Sequence, residues 1–232
     1  MKRLCTICAR GGSKGVPNKH TRTVLGRPLI AHTVGHAVES GLFDAVAVSS
    51  DSEAILDVAR TSGATVLVRR PDELATDFAD KSPAIVHCAG EAERQTGQRF
   101  DVFVDLDATA PLRRPAHIIG AVSLLEETGA SNVYTVTPSR RSPYYNMVEL
   151  GAEGAPRLVK AFDPPVVRRQ DAPPTFDMNA SIYVWTRDAV FEAGAPVHMD
   201  RTRAFVMPEW SAFDVDSELD FEIVSLLLAR MP

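Results

Sequence analysis

The stretch Arg3-Leu4-Cys5-Thr6-Ile7-Cys8-Ala9-Arg10-Gly11-Gly12-Ser13-Lys14-Gly15-Val16-Pro17-Asn18-Lys19 sets the fold of this chain. Arg3–Ala9 is an apolar run of strand length, and it opens directly into a loop of glycines and bases. Pro28–Ser40 then reads as a helix with Pro at its first turn. The same alternation continues outward. Ala45–Ser49 and Thr65–Val68 read as strands, with a helix over Ser52–Thr61 between them that Gly63 ends. Lys81–Thr96 reads as a helix, Val102–Leu106 as a strand, Pro115–Glu127 as a helix and Asn132–Val136 as a strand. This rhythm predicts an α/β fold: a mainly parallel sheet in three layers, with ligands at the carboxyl ends of the strands.

From Ser139 to Asp177 the pattern breaks, with frequent Pro and basic residues and no helical period. Tyr144–Leu150 and Arg157–Phe162 predict a hairpin around Gly151–Gly154, so the stretch reads as an excursion from the sheet rather than a second domain. Ala180–Trp185 returns to strand character, and Ser217-Glu218-Leu219-Asp220 predicts a capping box opening the last helix. A length of 232 residues suits one such domain.

Composition narrows the function. No apolar run approaches the ~18 residues that span a bilayer, and the stretch after Met1 is too short for a signal-peptide core, so no membrane association and a cytoplasmic location are expected. Three cysteines, with Cys5 and Cys8 inside a strand, argue against a disulfide framework or zinc site. The net charge is -5, yet residues 1–38 carry seven Lys or Arg and no Asp or Glu. A basic segment in an acidic chain points to a local anion site. With aromatics at 7% and no basic stripe downstream, it does not point to nucleic acid.

The loop after the first strand carries that anion site. Glycine lets backbone approach a ligand closely, and the N–H groups of Gly11 and Gly12 with Ser13 can line an oxyanion pocket. Arg10, Lys14 and Lys19 supply charge for a triphosphate. Neither standard phosphate-loop spacing is present.

Ala9-Arg10-Gly11-Gly12-Ser13-Lys14-Gly15-Val16-Pro17-Asn18-Lys19 resembles the N-terminal signature of CMP-sialic acid synthetases (acylneuraminate cytidylyltransferases) and their nonulosonate relatives. Where the family's signature ends in Asn, this chain has His20, which reads as a partly exposed loop residue. Arg70-Pro71-Asp72-Glu73-Leu74-Ala75-Thr76-Asp77 resembles a second family segment and makes Arg70 and Asp77 nucleotide candidates. Lys81 either adds a phosphate contact or belongs with the start of its helix. Leu106-Asp107-Ala108-Thr109-Ala110-Pro111-Leu112-Arg113 resembles a third, with Asp107 in place of Gln; Asp107 and Arg113 become sugar candidates. Asp107, alternating with Asp105 on a strand end, is also a possible metal ligand or general base.

Arg168-Arg169-Gln170 and Asp177-Met178-Asn179-Ala180 resemble the family's sugar-binding block, with Ala180 where Gly is usual. Arg169 is the candidate for a sugar carboxylate, because a guanidinium meets a carboxylate bidentately. Gln170 and Asn179 join it, although Asn179 serves equally well as an amide satisfying loop backbone. Phe213-Asp214-Val215-Asp216 resembles the family's metal motif. Residues i and i+2 of an extended chain face one way, so Asp214 and Asp216 can present two carboxylates to Mg²⁺ or Mn²⁺.

The resemblance implies a Rossmann-like nucleotidyltransferase of one domain over 1–232, with 139–177 a dimerisation arm that sets Arg168 or Arg169 in a partner's site. It implies transfer of CMP from CTP to the anomeric hydroxyl of a nonulosonic acid, with pyrophosphate released. Asp107 and Asp177 favour a legionaminate-like sugar over N-acetylneuraminate. The rival readings are a Kdo-type nucleotidyltransferase, a GT-A-like glycosyltransferase and a non-catalytic nucleotide-binding regulator.

Overall fold

The computed structural model describes residues 1–13, 15–76 and 80–231. Seven strands form one sheet: β1 (Arg3–Cys8), β2 (Ala45–Ser50), β3 (Val66–Arg69), β4 (Val102–Leu106), β5 (Asn132–Pro138), β6 (Phe176–Thr186) and β7 (Thr202–Val206). Their order across the sheet is β7-β5-β6-β4-β1-β2-β3. β1 pairs in parallel with β2 and β4, and β2 with β3. β6 runs antiparallel between β4 and β5, while β7 is parallel to β5. The chain builds outward from β1 through β2 to β3, then crosses back to lay β4 on the other side of β1. That reversal opens a crevice at the carboxyl ends of β1 and β4.

Alternation in β1 explains the layers. Cys5 and Ile7 enter one core with Ile30 and Val34 of α1 (Leu29–Ser40), Ile55 and Leu56 of α2 (Glu53–Thr61), and Ile118 and Val122 of α4 (Pro115–Thr128). Leu4 faces the opposite core, with Ile85 and Cys88 of α3 (Lys81–Thr96) and Ala189 and Val190 of α5 (Arg187–Phe191). The helix ends follow the sequence signals. Gly41, Gly97 and Gly129 take left-handed backbone just after α1, α3 and α4, and Asp80 caps α3 by accepting from the Ser82 amide.

A third cluster joins the two ends of the chain. Val16, Val24 and Leu29 pack with Leu112, Val215, and Phe221 and Val224 of α6 (Glu218–Arg230). The capping box is formed: Ser217 Oγ accepts from the Asp220 amide at 3.2 Å, and Asp220 accepts from the Ser217 amide at 2.8 Å. Arg22 holds the same corner through two bonds to Glu218, at 2.6 and 2.7 Å, with its guanidinium over the Phe221 ring.

Residues 139–177 carry a short hairpin, Val148–Leu150 against Pro156–Leu158, and expose Met147, Val148, Leu150 and Val167. The hairpin overlaps the predicted segments but is shorter, and its second strand begins one residue earlier, at Pro156. α5 and β7 carry no clear sequence signal and were not foreseen. Ala180 sits at a bulge of β6 with φ 51°, a left-handed conformation that disfavours a Cβ. Among the described residues, no helix is long and apolar enough to cross a membrane.

Candidate active site

A cavity of about 370 Å³ lies at the carboxyl ends of the parallel strands. Arg10, Ser13, Lys19, Arg70, Lys81, Asp107, Asp214 and Asp216 all line it. Lys14 and Asp77 lie outside the described residues.

Val215 places the acidic pair. Its side chain is fully buried, its amide donates to Thr109 O at 2.9 Å, and its carbonyl accepts from Lys19 Nζ at 2.7 Å. Burying one valine is worth about 1.5–3 kcal/mol, enough to fix the strand-like alternation around it. Asp214 and Asp216 flank it and face the cavity. Lys19 also reaches Asp216 Oδ1 at 3.1 Å, so the basic loop and the acidic segment are directly bonded. Gly15 presses on that segment: a Cβ there would stand 2.0 Å from the Asp216 carbonyl oxygen. The glycine is needed for close approach to protein backbone, in addition to any ligand.

Asp214 is half-buried. Burial first, then the charges of Asp216 and Asp107, raise its carboxyl pKa to about 6. An ionised Asp214 therefore lacks enough positive charge around it. No cluster of three or more His, Cys, Asp or Glu with metal-binding geometry occurs among the described residues. Two crowded carboxylates beside a triphosphate-sized cavity nevertheless fit Mg²⁺, which keeps several waters and takes one or two carboxylates plus substrate phosphates.

The loop after β1 is partly committed to the protein. The Gly11 amide donates to Asp51 Oδ1 at 2.8 Å and the Ser13 amide to Gly11 O at 3.1 Å, so both are spent on the protein itself. Ala9 is buried, its amide bonded to Ser49 O. Arg70 is buried and donates to Ser49 through its Oγ and carbonyl, at 3.3 and 3.0 Å. His20 is 5% exposed, not a partly exposed loop residue. Burial, then the nearby Lys19 charge, lower its pKa to about 4, so the ring is neutral at physiological pH.

Lys81 and Asp107 form a unit with Asp105 that the sequence did not announce. Lys81 Nζ lies 2.8 Å from Asp105 Oδ2 and 2.8 Å from Asp107 Oδ2. Asp107 Oδ1 accepts from the Thr109 amide and hydroxyl, both at 2.8 Å, and Thr6 donates to Asp105 at 2.9 Å. Burial pushes the Asp107 pKa up, but Lys81 and Thr109 more than reverse this and hold it well below the usual carboxylate range. A carboxylate so stabilised is a poor general base. That argues against Asp107 as general base, and the Lys81 ammonium at 2.8 Å argues against a second cation on it.

Four sugar candidates are placed elsewhere. Arg113 is completely buried and donates to the carbonyls of Ser181 and Asp107 and to Thr33 Oγ1. It holds the β4 loop from behind and has no face on the cavity. Arg113→Met leaves three acceptors without their donor and is expected to cost about 3 kcal/mol. Thermal unfolding should show a drop of roughly 6–12 °C; a change under about 2 °C would contradict the clamp. Asn179 is buried too, accepting from Thr135 Oγ1 at 2.7 Å and donating to Ser211 O at 3.2 Å. It satisfies the bulge, the alternative weighed for it. Arg169 and Gln170 sit in the exposed arm and do not line the cavity; Arg169 reaches Ser139 O at 3.2 Å.

The sequence reasoning missed Asp51 and Thr109, and named Asp105 only as the neighbour of Asp107 on a strand end. Asp51 sits just past a strand end and carried a positional signal; Thr109 lay within a matched motif.

Residues 4–199 match the family model described as cytidylyltransferase. The chain is 42% identical over 226 residues to the CMP-N,N'-diacetyllegionaminic acid synthase of Campylobacter jejuni, covering 97% of this chain and 94% of that one. It is also 42% identical over 225 residues, at the same two coverages, to the post-translational flagellin modification protein B of Campylobacter coli. Among solved structures, a CMP:2-keto-3-deoxy-manno-octonic acid synthetase complexed with CTP superposes with a TM-score of 0.73 over 99% of both chains. At 16% identity that likeness concerns the fold.

Proposed function

The chain belongs to the cytidylyltransferase family, and from that premise we propose that it transfers CMP from CTP to the anomeric hydroxyl of a sialic-acid-like nonulosonic acid. Pyrophosphate is the second product. The observation that carries this reading is the joining of the basic loop to the acidic pair, Lys19 Nζ on Val215 O and Asp216 Oδ1, at one cavity. A relative that covers nearly the whole chain and acts on a legionaminic acid supports a legionaminate-type substrate.

The chemistry is displacement at the α-phosphorus, which needs alignment and charge neutralisation more than a covalent nucleophile. Arg10, Ser13 and Lys19, which line the cavity, bind and orient the triphosphate. Asp214 and Asp216 would hold Mg²⁺, which when bound neutralises phosphate charge. Lys19 ties loop and acidic segment into one rigid wall. Asp107, whose pKa Lys81 and Thr109 hold low against the effect of burial, is poorly suited to take the hydroxyl proton.

The protein is further proposed to dimerise through residues 139–177, placing Arg168 or Arg169 at the partner's cavity. The exposed apolar side chains of the arm support this, as does the absence of Arg169 from its own chain's cavity. Sedimentation showing only monomer at assay concentration would remove this part.

The test is pyrophosphate release from CTP and Mg²⁺ with a panel of N-acetylneuraminate, a diacetylated legionaminate and pseudaminate. The expected result is release that depends on the sugar acid and is fastest with legionaminate. Release without any sugar acid, or none with the whole panel, overturns the reading.

A further inference from the structure

Cys5 and Cys8 of β1 do not act as a pair. Alternation sends Cys5 into the core beneath α1, α2 and α4, while Cys8 turns to the opposite side of the sheet, against the cluster that contains Cys88 of α3. The fold therefore joins Cys8 to a cysteine of a distant helix rather than to its neighbour in sequence. All three cysteines are free, and the Cys8 and Cys88 thiols are in hydrogen-bonding contact. Ala84 lies one turn before Cys88 on the same face of α3, and Ala84 and Cys8 both line the cavity at the carboxyl ends of the strands. Cys88 is fully buried behind that wall, and Cys8 is only partly buried.

Two thiols side by side, one of them on a cavity wall, make a soft donor pair. The Cys8 hydrogen bond first, then burial, push the Cys88 thiol well up, so it is neutral at physiological pH. A neutral buried thiol is a poor nucleophile, which disfavours oxidation or alkylation at Cys88. A metal ion acts differently, because a coordinated thiol gives up its proton outright. Sulfur donors select soft cations, whereas the carboxylate oxygens of Asp214 and Asp216 suit a hard one. A structural zinc site needs four protein ligands, and no group of three or more His, Cys, Asp or Glu suited to a metal occurs among the described residues. A monovalent d10 cation is satisfied by two thiolates in line. Its complex with the pair carries one negative charge. The buried Arg70 guanidinium, whose charge acts on Cys88, lies at the same cavity and balances it. We propose that Cys8 and Cys88 form a two-sulfur site for a soft monovalent cation of the Cu⁺ type, entered from the cavity. Binding releases two protons: two S–H bonds break, two S–Cu bonds form and no electron is transferred.

The probe is Cu⁺, supplied under nitrogen as its acetonitrile complex and titrated into the reduced protein against bicinchoninate as competitor. The wild-type chain is expected to take a single Cu⁺ from the competitor, and X-ray absorption should show two sulfur neighbours. Cys8→Ser removes the ligand at the cavity wall, and Cys88→Ala removes the buried one. Each should weaken binding at least about 100-fold, since losing a group that merely supports a metal ligand already costs about 10–100-fold. Cys5→Ala, on the other face of β1, should keep the affinity within about threefold, well under that cost. Should Cys88→Ala fail to fold, Cys8→Ser carries the test, because Cys8 is only partly buried. No uptake by the wild-type protein, wild-type affinity in Cys8→Ser, or an equal loss in Cys5→Ala overturns the proposal. The readout is metal binding alone, so the site stands or falls independently of the transfer reaction proposed above.

Discussion

Asp214→Asn lowers kcat/KM for pyrophosphate release by about 10³-fold, the scale of losing one well-placed electrostatic group, while the melting temperature stays level or rises. The two halves of this expectation have one cause. Asp214 is half-buried, and that burial first, then the charges of Asp216 and Asp107, raise its pKa to about 6. A group whose folded pKa is raised above its unfolded value costs stability when ionised at neutral pH. Asparagine keeps the shape and removes that cost. It also removes one of the two carboxylates proposed to hold Mg²⁺. A chelator should abolish activity of the wild-type enzyme, and Mg²⁺ should restore it there but not in the variant. Retention of activity within about threefold of wild type would exclude Asp214 from the reacting centre.

Gly15→Ala is expected to lower kcat by at least about 10²-fold, because displacement of a site by about an ångström costs that much. The added Cβ would stand 2.0 Å from the Asp216 carbonyl oxygen and 3.2 Å from its carbon. Both atoms are backbone and cannot rotate away. Either the basic loop lifts or the Asp214–Asp216 segment recedes, and each movement separates the loop cations from the carboxylates. The sheet and its two main cores do not include this contact. Circular dichroism should therefore remain that of the folded protein while turnover falls. Turnover within about threefold of wild type would show that the two segments tolerate separation.

The contrast between Asp214 and Arg113 shows where sequence reading succeeds and where it stops. Both lie in segments that resemble family motifs. The pairing of Asp214 with Asp216 is a local matter of side-chain alternation about Val215, and the cavity lining contains both. The orientation of Arg113 depends on Thr33 and Ser181, which lie 80 and 68 residues away in the chain. Nothing near Arg113 in sequence says that its guanidinium is enclosed. Asn179 is similar, since its partners come from β5 and from the loop before Asp214.

By itself the sequence determined the α/β rhythm, most strand and helix spans, the capping box at Ser217, and the basic and acidic segments that meet at the cavity. Each follows from short-range periodicity, turn chemistry or charge. Only the tertiary structure decided that β6 enters the sheet antiparallel, that Gly15 rests on Asp216, and that Lys81 is locked between Asp105 and Asp107. The physical reason is common to all three. They are set by packing between segments distant in sequence, where burial and charge pairing choose among conformations that local preference leaves equal.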